Sequence, residues 1–321
     1  MSAVLVLAEA TGSGVRKATF ELLTAARRLG EPRAVVVGEA ADDVVAALGE
    51  YGATTVYAVP APEARQDLSV PTAEAVVEVA RRVSPVAVLL GSGPLGKDVA
   101  GRVAVRLDSG IITDVVDVGL DGDAVVATQS IESGLFAART KVLRGPAVLT
   151  VRPNSIGAEA ASTTTPTVET LDVSFSDVAR AAHVDETNPK AGTGRPELTE
   201  ATVVVAGGRG VGSSDGFTVV EALADALGGA VGASRAATDS GWAPHDLQIG
   251  QTGITVAPNL YLAAGISGSI QHRAGMQSSN TIVAVNKDPD APIFSIADLG
   301  VVGDLHSVLP ALTDLVRERR Q

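Results

Sequence analysis

The residues of this chain best suited to chemistry lie in Tyr261-Leu-Ala-Ala-Gly265-Ile-Ser267-Gly-Ser269-Ile-Gln271-His272-Arg-Ala-Gly-Met276. A short apolar strand breaks at a Gly-Ile-Ser-Gly turn and reopens at Ser269, so backbone N–H groups and hydroxyls converge where a phosphate can sit. A second run, Val203-Val-Val-Ala-Gly207-Gly-Arg209-Gly-Val-Gly212, also follows a strand at a helix entrance and favours a nucleotide phosphate on backbone amides, with Arg209 adding charge. It departs from the dinucleotide fingerprint. Counted from Gly208 and Gly210, the third glycine position holds Ser213, and the next strand ends in Gly232-Ala-Ser234-Arg235 instead of an acid that grips a ribose. A tight turn that needs glycine for its geometry explains this run about equally well.

Arg235 stands immediately after a strand, and in open α/β sheets ligands bind at the carboxyl ends of strands, so its guanidinium is expected to point into a cleft. The loop Gln248-Ile-Gly-Gln251-Thr252-Gly253 offers amides, a hydroxyl and glycines that approach a flat heterocycle closely. A flavin ring needs that chemistry: donors to its pyrimidine oxygens and N5, and a positive charge that stabilises the reduced anion. Other templates find little support. The four histidines lie in no metal-ligand spacing, so neither a metal site nor a catalytic residue is assigned. Gly91-Ser-Gly-Pro-Leu-Gly-Lys97 has the wrong glycine spacing for a phosphate loop, and Asp98 stands where a hydroxyl is needed; it reads as a structural helix entry.

The elements that must position these groups follow from periodicity. Apolar runs at 4–8, 34–37, 55–59, 86–90 and 147–151 read as strands. Apolar residues recur at helical spacing from Val15 to Leu29, with Gly30 expected to stop that helix in the left-handed conformation, and 72–83 reads as a helix ended by Pro85. Segments 115–120, 124–129 and 134–142 look antiparallel, the first pair joined through Asp121-Gly122-Asp123. Later come strands at 201–206, 230–232, 260–264 and 281–285, and helices at 217–227 and 304–317. The prolines, glycines and polar residues around 183–196 mark a linker. The expected organisation is therefore α/β, with two domains that are each a mostly parallel sheet flanked by helices: 1–182, a linker over 183–200, and a Rossmann-like domain over 201–321.

Bulk composition narrows the function. At 321 residues two domains are expected, and a 45% hydrophobic content with only 3% aromatics implies cores of Val, Ala, Leu and Ile, as in parallel sheets. The net charge of −12 argues against a nucleic-acid partner. The absence of cysteine excludes disulfides, cysteine-ligated clusters and a thiol nucleophile. The first residues lack a basic leader pattern and no apolar run is long enough for a membrane span, so a cytoplasmic location is expected.

The Tyr261–Met276 run, continued into Ala-Val-Asn286, closely resembles the signature of the electron transfer flavoprotein alpha subunit, and the Gly-Gly-Arg-Gly run after the 201–206 strand fits it too. The resemblance implies an electron carrier rather than an enzyme, with one FAD on the second domain and a first domain that contacts a beta subunit and binds no cofactor. It implies that Ser267 and the adjacent backbone meet the flavin pyrophosphate, that His272 reaches the pyrimidine edge, and that Asn286 and Asp304 lie near the adenosine end. Electrons would come from flavin dehydrogenases, such as the acyl-CoA dehydrogenases of fatty acid oxidation, and pass to a quinone oxidoreductase. The competing readings are a nicotinamide-dependent dehydrogenase, which lacks its ribose acid and an acid–base pair here, and a nucleotide-binding scaffold without flavin electron transfer.

Overall fold

The computed structural model describes residues 2–11, 14–61, 68–132, 136–161, 165–182, 186 and 194–320. The chain divides into two compact units, 1–131 with 136–189, and 190–321 with 132–135. Each is α/β. Among the described residues no helix is long and apolar enough to cross a membrane.

The first unit contains β1 (Ala3–Leu7), β2 (Ala10–Thr11), β3 (Gly14–Val15), β4 (Glu31–Val37), β5 (Thr55–Val59), β6 (Ala87–Gly91), β7 (Ile111–Asp121), β8 (Ala124–Ile131), β9 (Phe136–Lys141), β10 (Ala147–Val151) and β11 (Thr167–Thr170). Its helices are α1 (Lys17–Arg27), α2 (Asp42–Glu50), α3 (Ser69–Val83), α4 (Pro94–Arg106) and the short α5 (Asp177–Arg180). Nine strands form one sheet in the order β11-β5-β4-β1-β6-β10-β7-β8-β9. Pairing is parallel from β11 through β10 to β7, and β7, β8 and β9 close the sheet as an antiparallel meander. The central strands are buried on both faces, which is why they read as continuous apolar runs: Val4 and Val6 belong to one core with Leu22, Leu23 and Leu48, while Leu5 and Leu7 pack with Val76, Val79 and Val103 on the other side.

Several local expectations change. Helix α1 begins at Lys17, because Val15 pairs in the β2–β3 ribbon. Gly30 does not adopt the left-handed conformation; it is glycine because a Cβ there would stand 2.2 Å from the Ser2 carbonyl oxygen. Helix α3 starts at Ser69, with Pro71 tolerated in a first turn whose N–H groups lack intrahelical acceptors anyway. The expected strand 134–142 runs Phe136–Lys141, and 134–135 lie outside the described residues. Most of the expected linker, 183–185 and 187–193, is also outside them. Its end is packed: Leu198 is buried in the second core and Arg195 clasps both carboxylate oxygens of Asp225 at 2.6 and 3.1 Å.

The second unit consists of β12 (Val203–Gly207), α6 (Thr218–Leu227), β13 (Ala230–Ala233), α7 (Arg235–Asp239), β14 (Leu260–Ala264), α8 (Ile270–Arg273), β15 (Thr281–Asn286), β16 (Leu299–Val302) and α9 (Leu305–Arg320). Its five strands are all parallel, in the order β13-β12-β14-β15-β16. One face packs on α6 and α9 through Val220, Leu223 and Leu309; the other buries Tyr261, Ile249, Met276 and Ile293. The chain winds from β12 to β13 in one direction and then places β14 on β12's other side. The topological switch point therefore falls between the carboxyl ends of β12 and β14, where this architecture opens a crevice.

Candidate functional site

A cavity of about 610 Å³ lies at those strand ends. Its floor is two interlocked turns. The Gly208 N–H donates to the Ala264 carbonyl at 2.9 Å and the Gly210 N–H to the Gly265 carbonyl at 2.9 Å. Gly265 takes a φ of +63°, and a Cβ on Gly208 would stand 2.3 Å from the Gly265 oxygen, so only glycine lets these two backbones meet. This corrects the expected phosphate cradle after β12. The N–H groups of Val211 and Gly212 are also taken, by the Gly208 and Arg209 carbonyls, so this run supplies geometry and the Arg209 side chain rather than a nest of free amides.

The free donors lie after β14. The backbone N–H groups of Ser267, Gly268 and Ser269 have no partner among the described residues, and the Ser267 side chain is exposed at the cavity. Ser269 caps α8, its hydroxyl accepting from the His272 N–H at 3.4 Å. Asn286, at the end of β15, donates to the Ile266 carbonyl at 3.0 Å and accepts from the Asp288 N–H at 3.1 Å, so its side chain ties this loop to the sheet.

On the opposite side Ser234 caps α7, accepting from the Ala237 N–H. Buried Gln248 is held at both ends of its amide: Thr238 Oγ1, which also reaches the Arg235 carbonyl, lies 3.0 Å from its Oε1, and its Nε2 donates to Thr252 Oγ1 at 3.0 Å. An acceptor role taken up by Gln248 leaves the Thr252 hydroxyl hydrogen for a group in the cavity. The Gln251 N–H donates to the Gln271 carbonyl at 2.8 Å and joins the two loops, while both glutamine side chains are exposed and line the cavity. Arg235 lines it as well, but its guanidinium also reaches Asp239 at 3.2 Å and its side chain is 67% exposed, so the expected unopposed charge is shared.

His272 departs further from expectation. Its ring lines the cavity and is 5% exposed, yet Nε2 turns to the Tyr261 hydroxyl at 2.9 Å. Nδ1 is sealed from solvent without a hydrogen bond of full geometry, with the Ile249 backbone beside it. Burial pushes the imidazole down to about 4, the Ile249 backbone opposing it in part, so His272 is neutral at pH 7.

The cavity thus gathers the sequence-predicted site residues except two. Gly253 turns the loop behind Gln248, its N–H donating to the Gly250 carbonyl at 3.0 Å. Asp304 caps α9 by accepting from the His306 N–H at 2.9 Å. Sequence reasoning missed Ile249, whose burial has no local signature, and assigned no role to Lys287 and Asp288, which both line the cavity. With Arg209, Arg235 and Lys287 against Asp288, the lining is cationic in an acidic chain. Free amides, hydroxyls, cations and the solvent-sealed Nδ1 together fit a large phosphate-bearing heterocycle.

Two family profiles match the chain: the electron transfer flavoprotein domain over residues 4–176 and the electron transfer flavoprotein FAD-binding domain over 197–277. The electron transfer flavoprotein subunit alpha of Mycobacterium leprae is 48% identical over 100% of both chains. That of Bacillus subtilis is 42% identical, over 97% of this chain and 96% of its own, and the mitochondrial one of Arabidopsis thaliana 36%, over 98% and 90%. The chain belongs to the electron transfer flavoprotein alpha-subunit family. It is an electron-transfer protein whose cofactor is FAD, and the matched FAD-binding region carries the interlocked glycine turns, the Gln248–Thr252 loop and His272. Asn286, Lys287 and Asp288 lie beyond that region, so the cavity wall extends past the profile.

Proposed function

We propose that this alpha subunit holds FAD in the switch-point cavity of its second unit and relays electrons without making or breaking bonds in a substrate. The observation that carries this reading is the convergence of Ser267 and Ser269 with their free amides, the cations Arg209 and Lys287, and the Thr252 hydroxyl in one crevice. FAD, when bound there, supplies one- and two-electron redox chemistry. The chain's own groups orient it: the Ser267 turn and Arg209 hold the pyrophosphate, Asn286 and Lys287 border the adenosine end, and Thr252, Gln251 and Arg235 meet the ring. Gly253 and Asp304 support this arrangement indirectly, through the loop turn and the α9 cap.

The first domain, residues 1–182, serves subunit contact and carries no cofactor, with a linker over 183–200 leading to the FAD domain at 201–321. A beta subunit completes the complex, in keeping with relatives that are themselves named alpha subunits. Flavin dehydrogenases such as acyl-CoA dehydrogenases donate the electrons, a quinone oxidoreductase accepts them, and the complex works in the cytoplasm. The test is spectroscopic. Co-expressed with its beta subunit, the chain is expected to carry one flavin per heterodimer, reducible by an acyl-CoA dehydrogenase with its substrate and not by NADH. A colourless, correctly assembled heterodimer, or prompt reduction by NADH, overturns the reading.

A further inference from the structure

We infer that Tyr261 is a positioning residue of the flavin cavity: its hydroxyl donates to Nε2 of His272 and locks the imidazole as the Nδ1–H tautomer. The inference rests on the FAD reading only for its functional consequence. Tyr261 lies in β14, fully buried in the core beneath the Gly265 turn, with its oxygen 2.9 Å from Nε2 and the two rings tilted by 57°. Both partners stay neutral near pH 7, since burial raises the phenol and lowers the imidazole, so one hydrogen lies between them.

Its owner follows from what each choice leaves unmatched. If the imidazole donated, the phenol hydrogen would have no acceptor among the described residues, and the Nδ1 lone pair would face no donor. If the phenol donates, the phenol is satisfied and the one group left over is Nδ1–H, close to the Ile249 backbone at the cavity wall. Leaving one buried polar group unmatched is less costly than leaving two. A core hydroxyl eleven positions away in the chain thereby sets the protonation pattern of a cavity-lining ring. His272 then presents a fixed dipole and no charge, and the positive field on the ring falls to Arg209, Arg235 and Lys287.

The test uses the FAD-loaded heterodimer with 15N-labelled histidine, the His272 signals being assigned by their loss in His272→Gln. In the wild type we expect Nε2 to be pyridine-type and Nδ1 pyrrole-type, without titration from about pH 5.5 to 8. Tyr261→Phe keeps the ring in the core and is expected to lose the pyridine-type Nε2 signal and shift the flavin absorption maximum, with flavin content unchanged. A wild-type Nε2–H pattern overturns the inference whether or not the variant folds, and so does an unaltered pattern in Tyr261→Phe. Failure of the FAD reading would register separately, as absent flavin absorption with the nitrogen pattern intact.

Discussion

At the scale of single residues, Arg235 and His272 carry opposite lessons about charge. Arg235 keeps its charge but divides it between the cavity and Asp239, with much of it in water, so its effect is discounted by screening. We expect Arg235→Ala to lower the flavin potential by at most about 59 mV for one electron, the equivalent of a tenfold change in equilibrium. Arg235→Lys, which keeps charge without the planar fork, should fall between. Asp239→Asn should move the potential upward by freeing the guanidinium. Redox titration reads all three, and an unchanged potential in Arg235→Ala with FAD retained would mean that the guanidinium is spent on Asp239. His272 gives up its charge altogether. Its native pKa of about 4 lies below the ordinary 6.5, so between these values the unfolded chain binds more protons and stability falls as pH falls. The contribution is complete above pH 6.5, is lost toward pH 4, and amounts to roughly 3 kcal/mol. Thermal melts of the complex across this window should show a shallower acid slope in His272→Gln than in the wild type.

At the scale of elements, the site depends on the contact between the turns that follow β12 and β14. Gly265 stands at a φ of +63°, and a Cβ there would meet the Leu305 side chain at 2.7 Å and the Gly210 Cα at 2.8 Å. Gly265→Ala therefore adds left-handed strain to a backbone clash, a cost of about 2 kcal/mol or more. We expect it to lower the melting temperature of the complex and to abolish stoichiometric FAD, since the Ser267 amides move with the turn; flavin absorbance per heterodimer measures this. Gln248 performs the same task on the opposite wall, bracketed between Thr238 and Thr252. Gln248→Leu removes both bonds, leaves Thr238 to its remaining bond to the Arg235 carbonyl and Thr252 without its donor, and should weaken FAD binding more than substitution of the exposed Gln251 side chain.

At the scale of the whole molecule, an acidic chain concentrates cations at one crevice, so the local field rather than the net charge governs what binds there. Every lining residue of that crevice belongs to the second unit. Limited trypsin cleavage at Lys190 of the native complex should therefore leave flavin absorbance intact at first, and prompt FAD release with both fragments folded would move the site. If, as we propose, the beta subunit also completes the wall of the cofactor cleft, the chain expressed alone is expected to be largely apo. A lone chain that keeps one FAD through size-exclusion chromatography at low concentration would contradict this.

What the sequence determined by itself was local. Alternation of apolar runs with helical spacing identified the two α/β halves, and the glycine turns after residues 206 and 264 marked the ends of β12 and β14, because periodicity and turn conformation are written in neighbouring residues. The edge strands β11 and β16 escaped notice: β11 is Thr-Val-Glu-Thr, with no apolar run, and β16 is a four-residue Leu-Gly-Val-Val stretch too short and too broken by glycine to mark a strand. Tertiary structure alone decided how other functional groups are spent: that the Gly208 and Gly210 amides go to the β14 turn, that Asn286 ties the Ser267 loop to the sheet, and that Nε2 of His272 turns inward to Tyr261, whereas the Arg235–Asp239 pair and the Asp304 cap join near neighbours in the chain. The reason is physical. A buried donor or acceptor takes whichever partner the packed chain brings within about 3 Å, and that partner comes from elements that only the completed sheet places side by side.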